Sequence, residues 1–188
     1  FSLHPLKNVN VWGDGGVIVT NNKKIYKKLL LLRNHGLKNR NKLEIFGHNS
    51  RLDTLQAAIG YKMLDQLDNL TSIRRRNAKI YDTFLKKIDQ ISLPSREKNI
   101  KGNYQLYCFL CKKRDKLIKY LNKNGVDAKI HYPVPMHLQK PCIEMNYHKG
   151  NFENTIKISK NIISLPVHEY VSQKNIRYII NKIIKFYN

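Results

Sequence analysis

The chain has 188 residues, with 35 Lys and Arg against 13 Asp and Glu, for a net charge of +22. Its 41% hydrophobic and 26% charged content is that of a globular protein, and no apolar run nears the ~20 residues that span a bilayer. Residues 1–20 show no basic stretch followed by an apolar one, as a secretory leader would, and three cysteines do not make a disulfide framework, so the cytoplasm is the expected compartment. The charge would suit a polyanion, but the densest basic runs, Lys23–Lys28 and Arg74–Arg76, sit in helix-patterned segments without interleaved aromatics. No nucleic-acid partner is therefore expected. An anionic small-molecule substrate suits the charge equally.

The first twenty residues, FSLHPLKNVNVWGDGGVIVT, read as a loop with a Gly-rich turn feeding a short β-branched strand, GVIVT. Lys23–Arg33 follows as a helix, with Ile25, Leu29 and Leu32 at i, i+4 and i+7, Asn22 as N-cap and Gly36 beyond its end. Residues 36–50 are polar, contain two glycines and read as a loop. From Arg51 a helical face runs through Leu52, Leu55, Gln56, Ile59, Met63 and Leu67, continuing to about Lys87 with a break near Asn69–Ser72. Ile91–Pro94 ends that segment, and residues 95–103 form a polar connector.

Tyr104–Cys111 is apolar on both faces, which predicts a central strand. Arg114–Asn124 is a helix with Leu117, Ile118 and Leu121 inward and Gly125 at its end. Val126, Ala128 and Ile130 alternate as a second strand, and HYPVPMHLQKP is a Pro-rich loop. Phe152–Ile163 reads as a helix and Ser164–Val167 as an extended piece. Ser172 caps a last helix striped by Ile176, Ile179, Ile180, Ile183 and Ile184. The expected division is residues 1–70 as part of a larger sheet domain, 71–94 as a bridging helix region, and 95–188 as a small α/β domain. Because 1–70 holds too few strands for a sheet of its own, the chain is expected to be the C-terminal part of a longer protein.

Lys7 is the candidate for chemistry. An amine becomes a useful nucleophile when burial or a neighbouring charge lowers its pKa, or when it is held as an imine. Pro5 and the glycines at 13, 15 and 16 supply the fixed and permissive backbone needed to present one amine to a flat ligand. Ser2 precedes it by five residues, close enough for its hydroxyl to return toward the same ligand. On composition alone, one basic residue among 35 remains a surface-loop residue.

The blocks FSLHPLKN, GDGGVIVTN, RNHGL, FGHNSRLDTLQAAIG, HYPVPMHLQKP and ISLPVHEYVS, in this order, resemble the pyridoxal-phosphate-dependent nucleotide-sugar aminotransferases of the DegT/DnrJ/EryC1/StrS family. The resemblance covers essentially the whole chain. It implies an α/β fold, the C-terminal part of a fold type I transferase. It also implies Lys7 as the Schiff-base lysine and proton carrier, and Ser2 and Asn49 as contacts to the cofactor phosphate, Asn49 reaching across from a neighbouring subunit in a homodimer. Glutamate is the implied amino donor and a nucleotide-diphosphate keto-sugar the acceptor, giving an amino-sugar for polysaccharide biosynthesis. The family's N-terminal half, with its phosphate-binding turn and the aspartate that protonates the cofactor ring, has no counterpart among these residues, so the 188-residue chain alone is expected to be inactive. Leu6, His48 and Gln105 depart from the family's usual residues. The alternative is a catalytically incompetent relic or a basic anion- or nucleic-acid-binding module.

His131, Tyr132 and His137 are candidate substrate contacts, with packing of a Pro-fixed loop as the equal alternative. Cys108 and Cys111 spell C-x-x-C, but positions i and i+3 on a strand face opposite sides, so no metal site is expected. Asp14 reads as a turn residue, and Asp53 as a helix-start acid that Arg51 pairs with.

Overall fold

The computed structural model describes residues 1–147 and 152–188. In chain order it contains α1 (Lys23–Leu32), β1 (Leu37–Asn39), β2 (Lys42–Leu43), α2 (Thr54–Leu85), β3 (Ile91–Ser92), β4 (Tyr107–Cys111), α3 (Arg114–Lys123), a 3-10 turn (Met136–Leu138), α4 (Lys140–Glu144), α5 (Glu153–Asn161), β5 (Ile162–Leu165) and α6 (Gln173–Tyr187). The chain divides into two compact units, Phe1–Asp68 and Asn69–Asn188, and the division falls inside α2.

Unit 2 carries the apolar core. Its sheet has the order β3-β4-β5, antiparallel throughout, with Phe109 opposite Ile163 and Cys108 opposite Ser164. The doubly apolar β4 is the central strand, as its composition predicts. Leu117 and Leu121 of α3 and Ile176, Ile179, Ile180 and Ile183 of α6 are buried in the same core as Tyr107 and Phe109. Ser172 caps α6, its hydroxyl accepting from the Asn175 N–H at 3.1 Å. From α2, Tyr81 stacks on Tyr107 with ring centres 4.7 Å apart. Asn77, fully buried, donates its amide to the carbonyls of Val167, His168 and Val171. Arg74 pairs with Glu169 at 2.8 Å, both largely shielded from water. These polar anchors fix the segment before α6 to the helix, and each buried group among them has a partner.

Unit 1 is built differently. Leu3 and Val11 are its buried large hydrophobics among the described residues, and its order comes mostly from backbone pairing. Asn22 caps α1 by accepting from the N–H groups of Lys24 and Ile25.

Several expectations are corrected. GVIVT forms no strand: Val17 exchanges both backbone bonds with Phe1 (2.9 and 2.6 Å), but no strand lies beside Ile18–Thr20 among the described residues. A β-branched run still needs a partner ladder. Residues 36–50 are not all loop, since Leu37–Asn39 and Lys42–Leu43 pair as a tight hairpin. The break near Asn69–Ser72 is absent. There the Ser72 hydroxyl donates to the Asn69 carbonyl at 2.8 Å, a local bond that a continuous helix tolerates. Residues 126–130 make a single bridge, Lys129 with Ser164, rather than a strand. The Ala128 N–H is bonded locally, to the Val126 carbonyl and the Asn122 side chain, and on the β5 side Pro166 has no N–H with which to continue the ladder. The second and third strands of the sheet are instead β3 and β5.

Candidate functional site

Lys7 closes a β-turn. Its N–H donates to the His4 carbonyl at 2.8 Å, and Pro5 occupies the second position, where its fixed φ favours such a turn. The His4 ring reinforces it, Nδ1 accepting from the Leu6 N–H at 3.1 Å. The turn stands on a frame: Leu3 N–H donates to Gly15 O at 2.8 Å, Val11 N–H to Leu3 O at 3.2 Å, and Ser2 faces Gly16 in an antiparallel bridge. A side chain at position 15 would meet Leu52 and Val11 at 2.9 Å, so glycine lets the loop pack against Leu52, just ahead of α2.

Gln56, from the first turn of α2, clamps that loop. Its Nε2 donates to Asp14 O at 3.1 Å and more weakly to Val11 O at 3.4 Å. Asp14 acts here through its backbone. Lys7 is half-buried, and no carboxylate pairs with its amine among the described residues. Ser2 is exposed, and its hydroxyl accepts from the His4 N–H at 3.3 Å. One short loop thus carries both an amine and a hydroxyl.

Asn49 lies in a second arrangement. Residues 32–36 and 45–50 interlock through His48 N–H to Leu32 O (2.7 Å), His35 N–H to His48 O (2.8 Å) and Ser50 N–H to Arg33 O (2.9 Å), with Asn49 bridged to Asn34. Gly36, at φ +78°, and Gly47 approach backbone to backbone, and a side chain on either would overlap the other segment. Asn49 is exposed, and no contact joins it to Ser2 or Lys7. Arg51 donates to the Asn34 side chain at 3.4 Å and not to Asp53. A cleft of about 490 Å³ in unit 1, walled by Val17, Ile18, Tyr26, Leu29, Arg33 and His48, does not include Lys7.

The remaining candidates belong to unit 2. His131 Nδ1 lies 2.9 Å from the Ser164 hydroxyl, which lies 3.2 Å from Cys108 Sγ. Burial pushes the Cys108 thiol up, against a smaller opposing effect of the Ser164 hydrogen bond. Tyr132 is 75% exposed and meets the His131 ring edge-on at 5.6 Å. His137 is buried and stacks on Phe152 at 4.5 Å, the surroundings of a packed ring. Sequence reading missed Ser164 and the clamping role of Gln56. Helical spacing marked Gln56 only as facing inward, and nothing local marks Ser164.

Comparison with known proteins gives these positions a context. The DegT/DnrJ/EryC1/StrS aminotransferase family model matches residues 1–184. A "Pleiotropic regulatory protein" of Geobacillus stearothermophilus is 33% identical over 100% of this chain and 51% of its own length. The dTDP-3-amino-3,4,6-trideoxy-alpha-D-glucose transaminase of Streptomyces venezuelae is 30% identical over 97% of this chain and 48% of its own. The crystal structure of S. venezuelae DesV in complex with a ketimine intermediate superposes with a TM-score of 0.96 at 29% identity, over 100% of this chain and 51% of that one. The chain therefore spans about half the length of the relatives it matches. Over that half its fold is that of the sugar aminotransferases, and the chain belongs to the DegT/DnrJ/EryC1/StrS aminotransferase family.

Proposed function

We propose that the protein is a pyridoxal-phosphate-dependent aminotransferase that moves an amino group from glutamate to a nucleotide-linked keto-sugar, working in the cytoplasm as a homodimer with shared sites. The observation that carries the reading is the Lys7 turn: a half-buried amine, unpaired by any carboxylate among the described residues, held on a proline-fixed turn five residues from an exposed hydroxyl. That donor set fits the group. An amine can capture the aldehyde of pyridoxal phosphate, and a hydroxyl can hydrogen-bond its phosphate. When bound, the cofactor supplies an electron sink for the carbon that loses its proton.

The chain's own contributions are positional. The His4–Lys7 turn and the Gln56 clamp fix where the amine points, and Lys7 carries the transferred proton. Ser2 holds the phosphate on the same loop. Asn49, on a separate and exposed part of unit 1, serves the site of the partner subunit. His131 and Tyr132 meet the sugar substrate, while His137 supports their loop by packing. Alone, the 188-residue chain spans about half the length of the relatives it matches and is expected to be inactive.

The test is Lys7→Arg in a protein of the relatives' full length. It keeps the charge but removes the attachment point. The expected result is loss of the bound cofactor's visible absorbance together with amino transfer. Retention of both would end the assignment.

A further inference from the structure

We propose that Ser164 is a positioning residue for His131: its hydroxyl donates to Nδ1, so the ring keeps its proton on Nε2 and offers an N–H to an oxygen of the substrate. The substrate clause rests on the aminotransferase reading. The hydrogen-bond polarity does not.

Ser164 is 3% exposed and held from two sides. Its backbone exchanges both bonds with Lys129, at 3.1 and 2.8 Å, two residues before His131. Across the ladder it faces Cys108. The hydroxyl therefore sits between a thiol at 3.2 Å and an imidazole nitrogen at 2.9 Å, with one proton to give. An imidazole nitrogen is a good acceptor and a thiol sulfur a weak one. Burial keeps the Cys108 thiol protonated, so its S–H is available to donate. The arrangement that uses every proton well runs from Cys108 S–H to Ser164 Oγ, then from Ser164 O–H to His131 Nδ1. The reverse polarity spends the hydroxyl proton on sulfur. With Nδ1 accepting, the neutral ring carries its proton on Nε2. The ring is half-buried, and among the described residues no hydrogen bond engages Nε2.

The test is nitrogen-15 NMR of the histidine-labelled chain, above the ordinary imidazole titration range. In the native chain, His131 Nδ1 is expected at the position of an unprotonated ring nitrogen and Nε2 at that of a protonated one. In Ser164→Ala the separation between the two shrinks toward that of exposed His35. In Ser164→Thr, which keeps a hydroxyl, it persists. In Cys108→Ala it also persists, because the serine proton still faces Nδ1. A protonated Nδ1 in the native chain overturns the proposal whether or not any variant folds, as does a Ser164→Ala spectrum unchanged from native. The readout uses neither Lys7 nor the cofactor, so it fails separately from the aminotransferase reading.

Discussion

Replacing Gln56 by Ala tests how the Lys7 loop is held. The change removes two hydrogen bonds from Nε2, one of 3.1 Å to Asp14 O and one of 3.4 Å to Val11 O. Neutral bonds contribute about 0.5–1.5 kcal/mol each, and the longer one lies at the lower end, so the pair stabilises the loop by about 1–2 kcal/mol. That corresponds to a rise of about 5–30-fold in the population of open loop. Native-state hydrogen exchange reads it directly, because the N–H groups of Leu3 and Val11 are bonded inside the frame, to Gly15 O and Leu3 O. Both should exchange faster by that factor, while the Phe109 and Ile163 amides of the β4–β5 ladder stay unchanged. Gln56→Glu should behave like Gln56→Ala, since a carboxylate has no proton for either carbonyl. Unchanged exchange at Leu3 and Val11 in both variants would show that the clamp does not hold the loop.

Gly47→Ala places a methyl group on the Gly36 backbone and within 2.9 Å of Leu32 O, and should cost about 1–3 kcal/mol. Thermal unfolding together with faster exchange of the Ser50 amide checks it. Burial pushes the Tyr81 and Tyr107 phenols well above their ordinary value, and the Tyr107 hydrogen bond to Asp82 adds to its shift. The folded state holds these protons where the unfolded chain releases them, so the stabilisation is complete below about pH 10 and is lost as pH rises above it. Alkaline denaturation should show the phenolate absorbance of both tyrosines arriving with unfolding; its appearance in a chain still folded by circular dichroism would contradict the burial argument.

The sequence was most legible where one local signal sufficed. The isoleucine stripe of α6, the Ser172 cap and the two-faced apolarity of β4 each predict their own element, and ordered motif blocks point to the family. Elements that depend on a distant partner were not legible. Residues 18–20 have strand composition but no neighbour to pair with among the described residues, whereas the polar residues 37–43 pair because a tight turn brings them together. Residues 126–130 alternate correctly, yet Pro166 opposite them has no N–H to continue the pairing, and one bridge is left. Within the site, Pro5 and Lys7 announce a constrained amine. The pairing of His131 with Ser164 spans 33 residues and leaves no periodic trace.

The distance along the chain between β4 and β5 also bears on how the protein is made. Cys108 waits for Ser164, 56 residues later, before its side of the sheet is covered. At ~5–20 residues per second a ribosome needs several seconds for that stretch. During it, β4 exposes an apolar edge carrying Tyr107, Phe109 and Cys111, with only the two residues of β3 beside it. An unpaired strand edge of this kind is a template for pairing with another chain. The basic residues spread along the whole sequence repel one another between such chains. Charge of one sign along the whole sequence opposes the approach of such unfinished edges, independently of any substrate.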